Sequence, residues 1–280
     1  MDVLRRASGY LAKAGSPTAR LDAELLVGQA LGLSRLELYL QFERPLAETE
    51  LAEARALIRR RAGGEPVAYL VGHKEFCGLE FEVSRGVLIP RPETELLVEI
   101  SGLRLASRGR QARCADLGTG SGCVAIAIAA RSAAEVDAVD ISKAAVTIAR
   151  SNAQRLGVAD RVTVFEGSWE GPLAGRRPYD LVVSNPPYLT SAEADALESG
   201  VRDQEPRLAL DAGLDGLDSY RALIPGLGKL VAPGGLVLLE VDPNRVKEVV
   251  SLCTALWPRA TTQLHRDLSG RDRVVEAAIR

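Results

Sequence analysis

The apolar positions of this chain change their period once, near residue 67. Before that point they recur at helical spacing. Leu21, Leu25, Leu26, Ala30 and Leu31 follow Thr18 and close on Gly32, the pattern of an amphipathic helix with a glycine stop. Ser34 and Glu37 in "SRLE" predict a capping box, in which hydroxyl and carboxylate take the first free amides of the next helix. A further helix is expected from about Leu46, with Leu51, Ala54, Leu57 and Ile58 turned inward. It ends on Arg59, Arg60 and Arg61, ahead of Gly63-Gly64, where cations meet the negative end of the helix dipole as a solvated terminus. Residues 1–66 thus predict a small helical bundle.

Residues 67–90 contain "VAYLVGHKEFCGLEFEVSRGVLI", rich in β-branched and aromatic residues with turn signals at Gly78 and Gly86, and predict a β-hairpin linker. From residue 91 to 280, apolar runs of strand length alternate with helical segments: "RCADLG", "EVDAVD", "RVTVFEG", "DLVVSNPP" and "GGLVLLEV". Such alternation predicts an α/β domain, a mostly parallel sheet with helices on both faces.

Composition narrows the classes. A mean hydropathy of +0.02 and the lack of any apolar run near ~20 residues argue against a membrane span. The segment "MDVLRRASGYLAKAG" breaks its apolar positions with Arg5, Arg6 and Lys13, unlike a signal peptide, so a cytoplasmic location is expected. The four cysteines, 77, 114, 123 and 253, form no CxxC pair and have only two histidines to join them, so no metal site is expected and the thiols are expected to be buried or incidental. Net charge is −2, with 11 Lys/Arg against 10 Asp/Glu in residues 1–75 and 24 against 27 in the rest. A protein that grips a phosphate chain normally carries a cationic excess, and direct binding to nucleic acid is not expected here.

Two stretches carry chemistry. "ADLGTGSGCVAIAIAA", 115–130, sets Gly118, Gly120 and Gly122, with Thr119 and Ser121 between them, after a strand and before an apolar helix. Glycines there let the backbone turn sharply and pass close to a ligand, with helix amides aimed at it. The spacing is GxGxG rather than the GxGxxG of pyrophosphate binders, and Asp116 precedes it, which disfavours a nicotinamide dinucleotide. Twenty residues beyond Gly120, Asp140 closes the next strand. A carboxylate at that strand end either takes both hydroxyls of a ribose or caps the following helix. Loop and acid together suit an adenosine-containing ligand whose other end is an amino acid, and S-adenosyl-L-methionine has that composition.

The second stretch is "LVVSNPPYLT", 181–190. Asn185 falls at the carboxyl end of the fourth strand, where open α/β sheets bind ligands. Pro186 fixes its own φ and pushes Asn185 into an extended conformation, so Pro186-Pro187 makes a stiff corner. The Asn185 side-chain oxygen and the Pro186 carbonyl can then accept both hydrogens of a planar NH₂ group, with the Tyr188 ring packed on its flat face. Two acceptors aimed at those hydrogens favour a pyramidal nitrogen with its lone pair directed at a donor methyl, a gain made mainly in the transition state. A glutamine amide and the exocyclic amine of a flipped adenine both meet these terms, and a binding protein of methyltransferase shape without catalysis would need no such corner.

These residues, with "IPRPETE" at 89–95, "VRDQEPRLALDAGLDGLDSYRALI" at 201–224 and "RDLSGRDRVVEA" at 266–277, resemble the protein-(glutamine-N5) methyltransferases of peptide chain release factors, the HemK/PrmC family. The resemblance runs through nearly the whole chain. It implies a Rossmann-like class I S-adenosyl-methionine-dependent methyltransferase domain whose sheet ends in a β-hairpin, preceded by an N-terminal helical substrate-docking domain. It also implies methyl transfer to the glutamine of the release factors' Gly-Gly-Gln loop; related enzymes modify a ribosomal-protein glutamine instead. By position, Gly118, Thr119, Gly120, Ser121, Gly122, Asp140 and Asn185 would hold the donor, with Trp169 against its adenine. Asn185, Pro186, Pro187 and Tyr188 would hold the glutamine amide, and Asn185, Pro186 and Tyr188 would serve the transfer. Arg91 would border the pocket or belong to a rigid surface turn. The chain departs from the family pattern at Ser168, at Gln204 and at Val241-Asp242-Pro243.

Overall fold

The computed structural model describes residues 2–106 and 111–279. It resolves into two compact units, Met1–His73 with Glu198–Gln204, and Lys74–Leu197 with Glu205–Arg280.

The first unit is helical: α1 (Asp2–Lys13), α2 (Ala19–Leu31), α3 (Arg35–Leu40), α4 (Glu48–Ala62) and α5 (Val67–Val71). Leu11, Leu26, Val27, Leu38, Leu57, Ile58 and Leu70 are buried together as its core. Gly32 ends α2 in the left-handed conformation. The capping box before α3 is complete: Glu37 accepts from the Ser34 amide at 2.8 Å, and Ser34 Oγ accepts from the Glu37 amide at 3.3 Å. Two expectations need correction. Arg60 and Arg61 are not a merely solvated end, because Arg60 forks onto Glu65 at 2.8 and 2.7 Å and Arg61 reaches the buried Asp22 at 2.7 Å. Residues 67–71, expected as part of the hairpin linker, are helix α5. Pro66 precedes it, Gly72 stops it in the left-handed region, and Leu70 packs into the helical core, so tertiary packing overrides the β propensity of Val67, Tyr69 and Val71.

The hairpin itself is β1 (His73–Phe76) and β2 (Leu79–Glu82). Cys77 and Gly78 join the strands with φ of 55° and 77°, the paired positive values of a type I′ turn, whose twist matches that of the strands.

The second unit continues with α6 (Glu95–Ala106), β3 (Arg113–Leu117), α7 (Cys123–Arg131), β4 (Glu135–Asp140), α8 (Lys143–Arg155), β5 (Val162–Glu166) and β6 (Tyr179–Ser184). Then come α9 (Ser191–Asp195), α10 (Ser199–Arg202, grouped with the first unit), α11 (Asp218–Leu230), β7 (Val231–Glu240), α12 (Val246–Leu256), β8 (Thr261–Arg266) and β9 (Asp272–Ala278). The seven-stranded sheet runs β5-β4-β3-β6-β7-β9-β8. β3 to β7 are parallel, and β9 is antiparallel to β7 and β8. All six residues of β6 are buried, as expected of a central parallel strand covered on both faces. Its side chains alternate: Leu181 and Val183 join one core with Leu97 and Ile126 from α6 and α7, while Val182 joins the other with Leu223 and Val249 from α11 and α12. Strand order reverses between β3 and β6, and a crevice opens at such a switch point at the carboxyl ends of the strands.

Candidate active site

Strand register builds the site. Leu117 pairs with Val139 on one side and with Ser184 on the other, so Gly118, Asp140 and Asn185 stand one residue beyond a common level on three adjacent strands, ~5 Å apart laterally. Ser184 Oγ donates to the Leu117 carbonyl at 2.6 Å, and the Gly118 and Thr119 amides both donate to the Val139 carbonyl at 2.9 Å. The three strand ends are thereby laced together.

Above them lies a cavity of about 290 Å³. It is lined by Gly118, Thr119, Gly120, Ser121, Asp140, Trp169, Asn185 and Pro187, which brings eight of the sequence-predicted residues to one place. Arg91 and Ser168 line it too, while Gly122, Pro186 and Tyr188 do not. Gly122, at φ 82°, is the residue before α7, and an added Cβ would stand 2.9 Å from Ile126 Cδ1 and 3.1 Å from Ala149 Cβ; glycine there lets α7 pack closely on α8. The Tyr188 ring differs from the expectation of a flat wall on the substrate. It is half-buried and packs against the core that holds residues of β6 and α11, and burial pushes its hydroxyl up to about 12.

The Gly loop is held by two acids. Asp116 is buried and accepts from the Thr119 hydroxyl at 2.6 Å and the Ala125 amide at 3.2 Å. Burial raises its carboxyl to about 6 against those bonds. Asp140 accepts from the Gly120 amide at 2.8 Å and the Ser142 amide at 2.9 Å, while burial pulls its pKa upward. The cap of α8 is Ser142, whose hydroxyl accepts from Ala145, so Asp140 is not that helix's capping residue. Trp169 is one of two non-glycine residues at positive φ among the described residues, at 43°, an uncommon conformation for a bulky side chain and one found at ligand sites. Its ring lies over the loop, 3.6 Å from where a Cβ on Gly118 would be.

Asn185 Nδ2 donates to Thr94 Oγ1 at 3.0 Å. Thr94, buried at the end of the short 3₁₀ turn Pro92–Thr94, belongs to "IPRPETE". Sequence reasoning valued that segment as a signature and missed its contact. It also missed Glu205, which is buried and accepts from the Ile89 amide at 3.2 Å and from Arg91 at 2.6 Å, tying two walls of the cavity together. Asn152 was missed as well; fully buried on α8, it donates to the Ser121 carbonyl at 2.9 Å. All three are polar residues at positions whose burial only the tertiary structure reveals. The four cysteines are buried, and burial pushes the pocket-lining Cys123 up to about 12, leaving it a neutral thiol.

The residues fit an adenosine-bearing methyl donor: a glycine turn closed on backbone amides, Ser121 Oγ buried without a well-directed partner, a carboxylate at the strand end, and the apolar faces of Trp169 and exposed Ile141 lining the same cavity. Among the described residues no cluster of His, Cys, Asp or Glu could hold a metal ion, and no helix is long and apolar enough to cross a membrane.

Fold and site together define a class I S-adenosyl-methionine-dependent methyltransferase. Residues 2–72 match the PrmC N-terminal domain and residues 93–207 the methyltransferase small domain. A protein of Geobacter sulfurreducens named release factor glutamine methyltransferase is 45% identical over 280 residues, covering 99% of this chain and 95% of its own. Its namesake in Moorella thermoacetica is 44% identical over 96% of both chains. The chain belongs to the release factor glutamine methyltransferase family. Solved structures share the fold at low identity: the T. thermophilus 16S rRNA N2 G1207 methyltransferase in complex with AdoMet and guanosine matches with a TM-score of 0.54 and 21% identity over 74% of this chain and 50% of its own. The hMettl16 catalytic domain matches with 0.60 and 16% over 80% and 82%.

Proposed function

We propose that this enzyme transfers a methyl group from S-adenosyl-L-methionine to the side-chain amide nitrogen of the glutamine in the Gly-Gly-Gln loop of peptide chain release factors. Its full-length kinship with release factor glutamine methyltransferases supports the substrate. A cytoplasmic location fits a substrate of the translation machinery.

The observation that carries the mechanism is the bond from Asn185 Nδ2 to Thr94. With Nδ2 engaged there, Oδ1 is the side-chain atom of Asn185 left to accept from a ligand amide, and the carbonyl of Pro186, between the lining residues Asn185 and Pro187, would supply the second acceptor. Bound S-adenosyl-methionine supplies an electrophilic methyl on a sulfonium. Asp140 would accept from the ribose hydroxyls, Trp169 and Ile141 would flank the adenine, and the loop 118–122 would hold the amino-acid end. The amide nitrogen, held through its two hydrogens, directs its lone pair at the methyl carbon. The donor would supply the methyl with its C–S bond broken as the C–N bond forms, and the acidic N-protonated amide would give its proton to water. No strong base is required, and positioning supplies most of the rate.

The test incubates the enzyme with methyl-labelled S-adenosyl-methionine and a release factor, the same factor with the Gly-Gly-Gln glutamine replaced, or nucleic acid. Label should enter the unaltered factor alone. Equal labelling of the replaced factor, or labelling of nucleic acid only, would overturn the proposal.

A further inference from the structure

At the end of β7, next to β6 in the sheet, Glu240 is buried, and neither of its carboxylate oxygens has a well-directed hydrogen-bond donor. A buried carboxylate in that condition is costly unless it serves a purpose. The Thr94 side chain lies close enough to Glu240 to steady its charge. That hydroxyl accepts from Asn185 Nδ2 and has one proton of its own to give. We propose that Glu240 is a positioning residue for methyl transfer: its carboxylate accepts a hydrogen bond from the Thr94 hydroxyl and so compels the Thr94 oxygen to accept from Asn185.

The inference rests on the role given to Asn185 and deepens it. An amide can turn over, exchanging Nδ2 and Oδ1 with little change of shape. With Oδ1 towards Thr94, Asn185 would present a donor to the substrate amide and repel the hydrogens it must accept. An ionised carboxylate only accepts, so Thr94 must donate to it, and the one orientation of Asn185 that completes the chain leaves Oδ1 for the substrate. Protonating Glu240 lifts that constraint, since a carboxylic acid can donate to Thr94 and free the threonine proton for Oδ1. The groups that face Glu240 come from each neighbouring element: Arg273 of β9, which favours the charged form; Glu93, beside Thr94, which opposes it; and the hydroxyl-bearing rings of Tyr188 and of Tyr220 on α11. Tyr220 donates to the Glu240 backbone carbonyl at 2.8 Å, which fixes the main chain and leaves the carboxylate to Thr94. Burial outweighs Arg273 and raises Glu240 to about 7, within the range an assay can cover.

The experiment measures turnover at saturating S-adenosyl-methionine and release factor across pH 5.5–9 for the wild type, Glu240→Gln, Thr94→Val, Thr94→Ser and Asn185→Ala. Wild-type turnover should fall as pH drops through about 7. Glu240→Gln should lose that acid limb and run about 5- to 30-fold slower on the alkaline plateau, the scale of one buried hydrogen bond, with KM for both substrates little changed. Thr94→Val should match it, and Thr94→Ser should restore turnover and the limb. A wild-type profile flat through that range, or Glu240→Gln retaining the limb, would overturn the proposal while Asn185→Ala remained slow. Unimpaired turnover in Asn185→Ala would instead overturn the function assigned to Asn185. A flat wild-type profile overturns the proposal even if a substituted protein fails to fold.

Discussion

On the role proposed for Asn185, an acceptor for the substrate amide, its removal should act on chemistry and not on donor binding. Asn185→Ala is expected to lower turnover ~10²–10³-fold, the scale for one positioned transition-state group, with calorimetric affinity for S-adenosyl-methionine little changed. Collapse of donor affinity with intact turnover would give the residue a different role. Asp116 makes a separate prediction at the same scale. Its folded pKa of about 6 stands above the usual 3.8, so the folded state prefers the protonated form. The stability it contributes is full below pH ~4 and lost as pH rises to ~6, by about 3 kcal/mol in all. Urea unfolding of the wild type and Asp116→Asn between pH 4 and 7.5 should therefore show the variant gaining on the wild type across that window. Parallel curves would contradict the burial argument.

At the scale of elements, the turn into α7 and the capped start of α3 can each be broken singly. Gly122→Ala places a methyl at φ 82° and within 3.1 Å of Ala149; it should lower the melting temperature and weaken donor binding together, because the displaced helix carries the loop. Ser34→Ala removes one bond of the capping box and is expected to cost about 1 kcal/mol by denaturant unfolding with turnover unchanged. Where local chemistry dictated an element, the sequence was legible. "SRLE" named its own cap, the strand runs fell in the sheet as read, and Asn185 and Asp140 could be placed at strand ends from the runs before them. It was not legible where packing chose among local options: Val67–Val71 has strand-like residues yet is helical because Leu70 has a helical core to enter. Tyr188 is absent from the pocket lining for a similar reason, since packing against the core that contains Tyr220 competes with a place on the pocket wall. Thr94, Glu205 and Glu240 left no local signal because their surroundings come from far along the chain: Asn185 lies 91 residues from Thr94, Ile89 lies 116 from Glu205, and Glu240 pairs with Val274 of β9.

For the molecule as a whole, the sequence and the fold divide labour between a catalytic unit and a helical one that matches the PrmC N-terminal domain. We expect the helical unit to dock the protein substrate. Removing residues 1–72 should then reduce kcat/KM for an intact release factor far more than for a short glutamine peptide, and equal losses would count against docking. On the proposed mechanism, the catalytic unit holds a flat nitrogen by its hydrogens against a methyl donor. A crystal structure with S-adenosyl-homocysteine and a glutamine peptide bound tests this most directly. The account predicts Asn185 Oδ1 and the Pro186 carbonyl oxygen both within hydrogen-bonding distance, ~2.7–3.2 Å, of the glutamine side-chain nitrogen; either oxygen turned away from that nitrogen would contradict it.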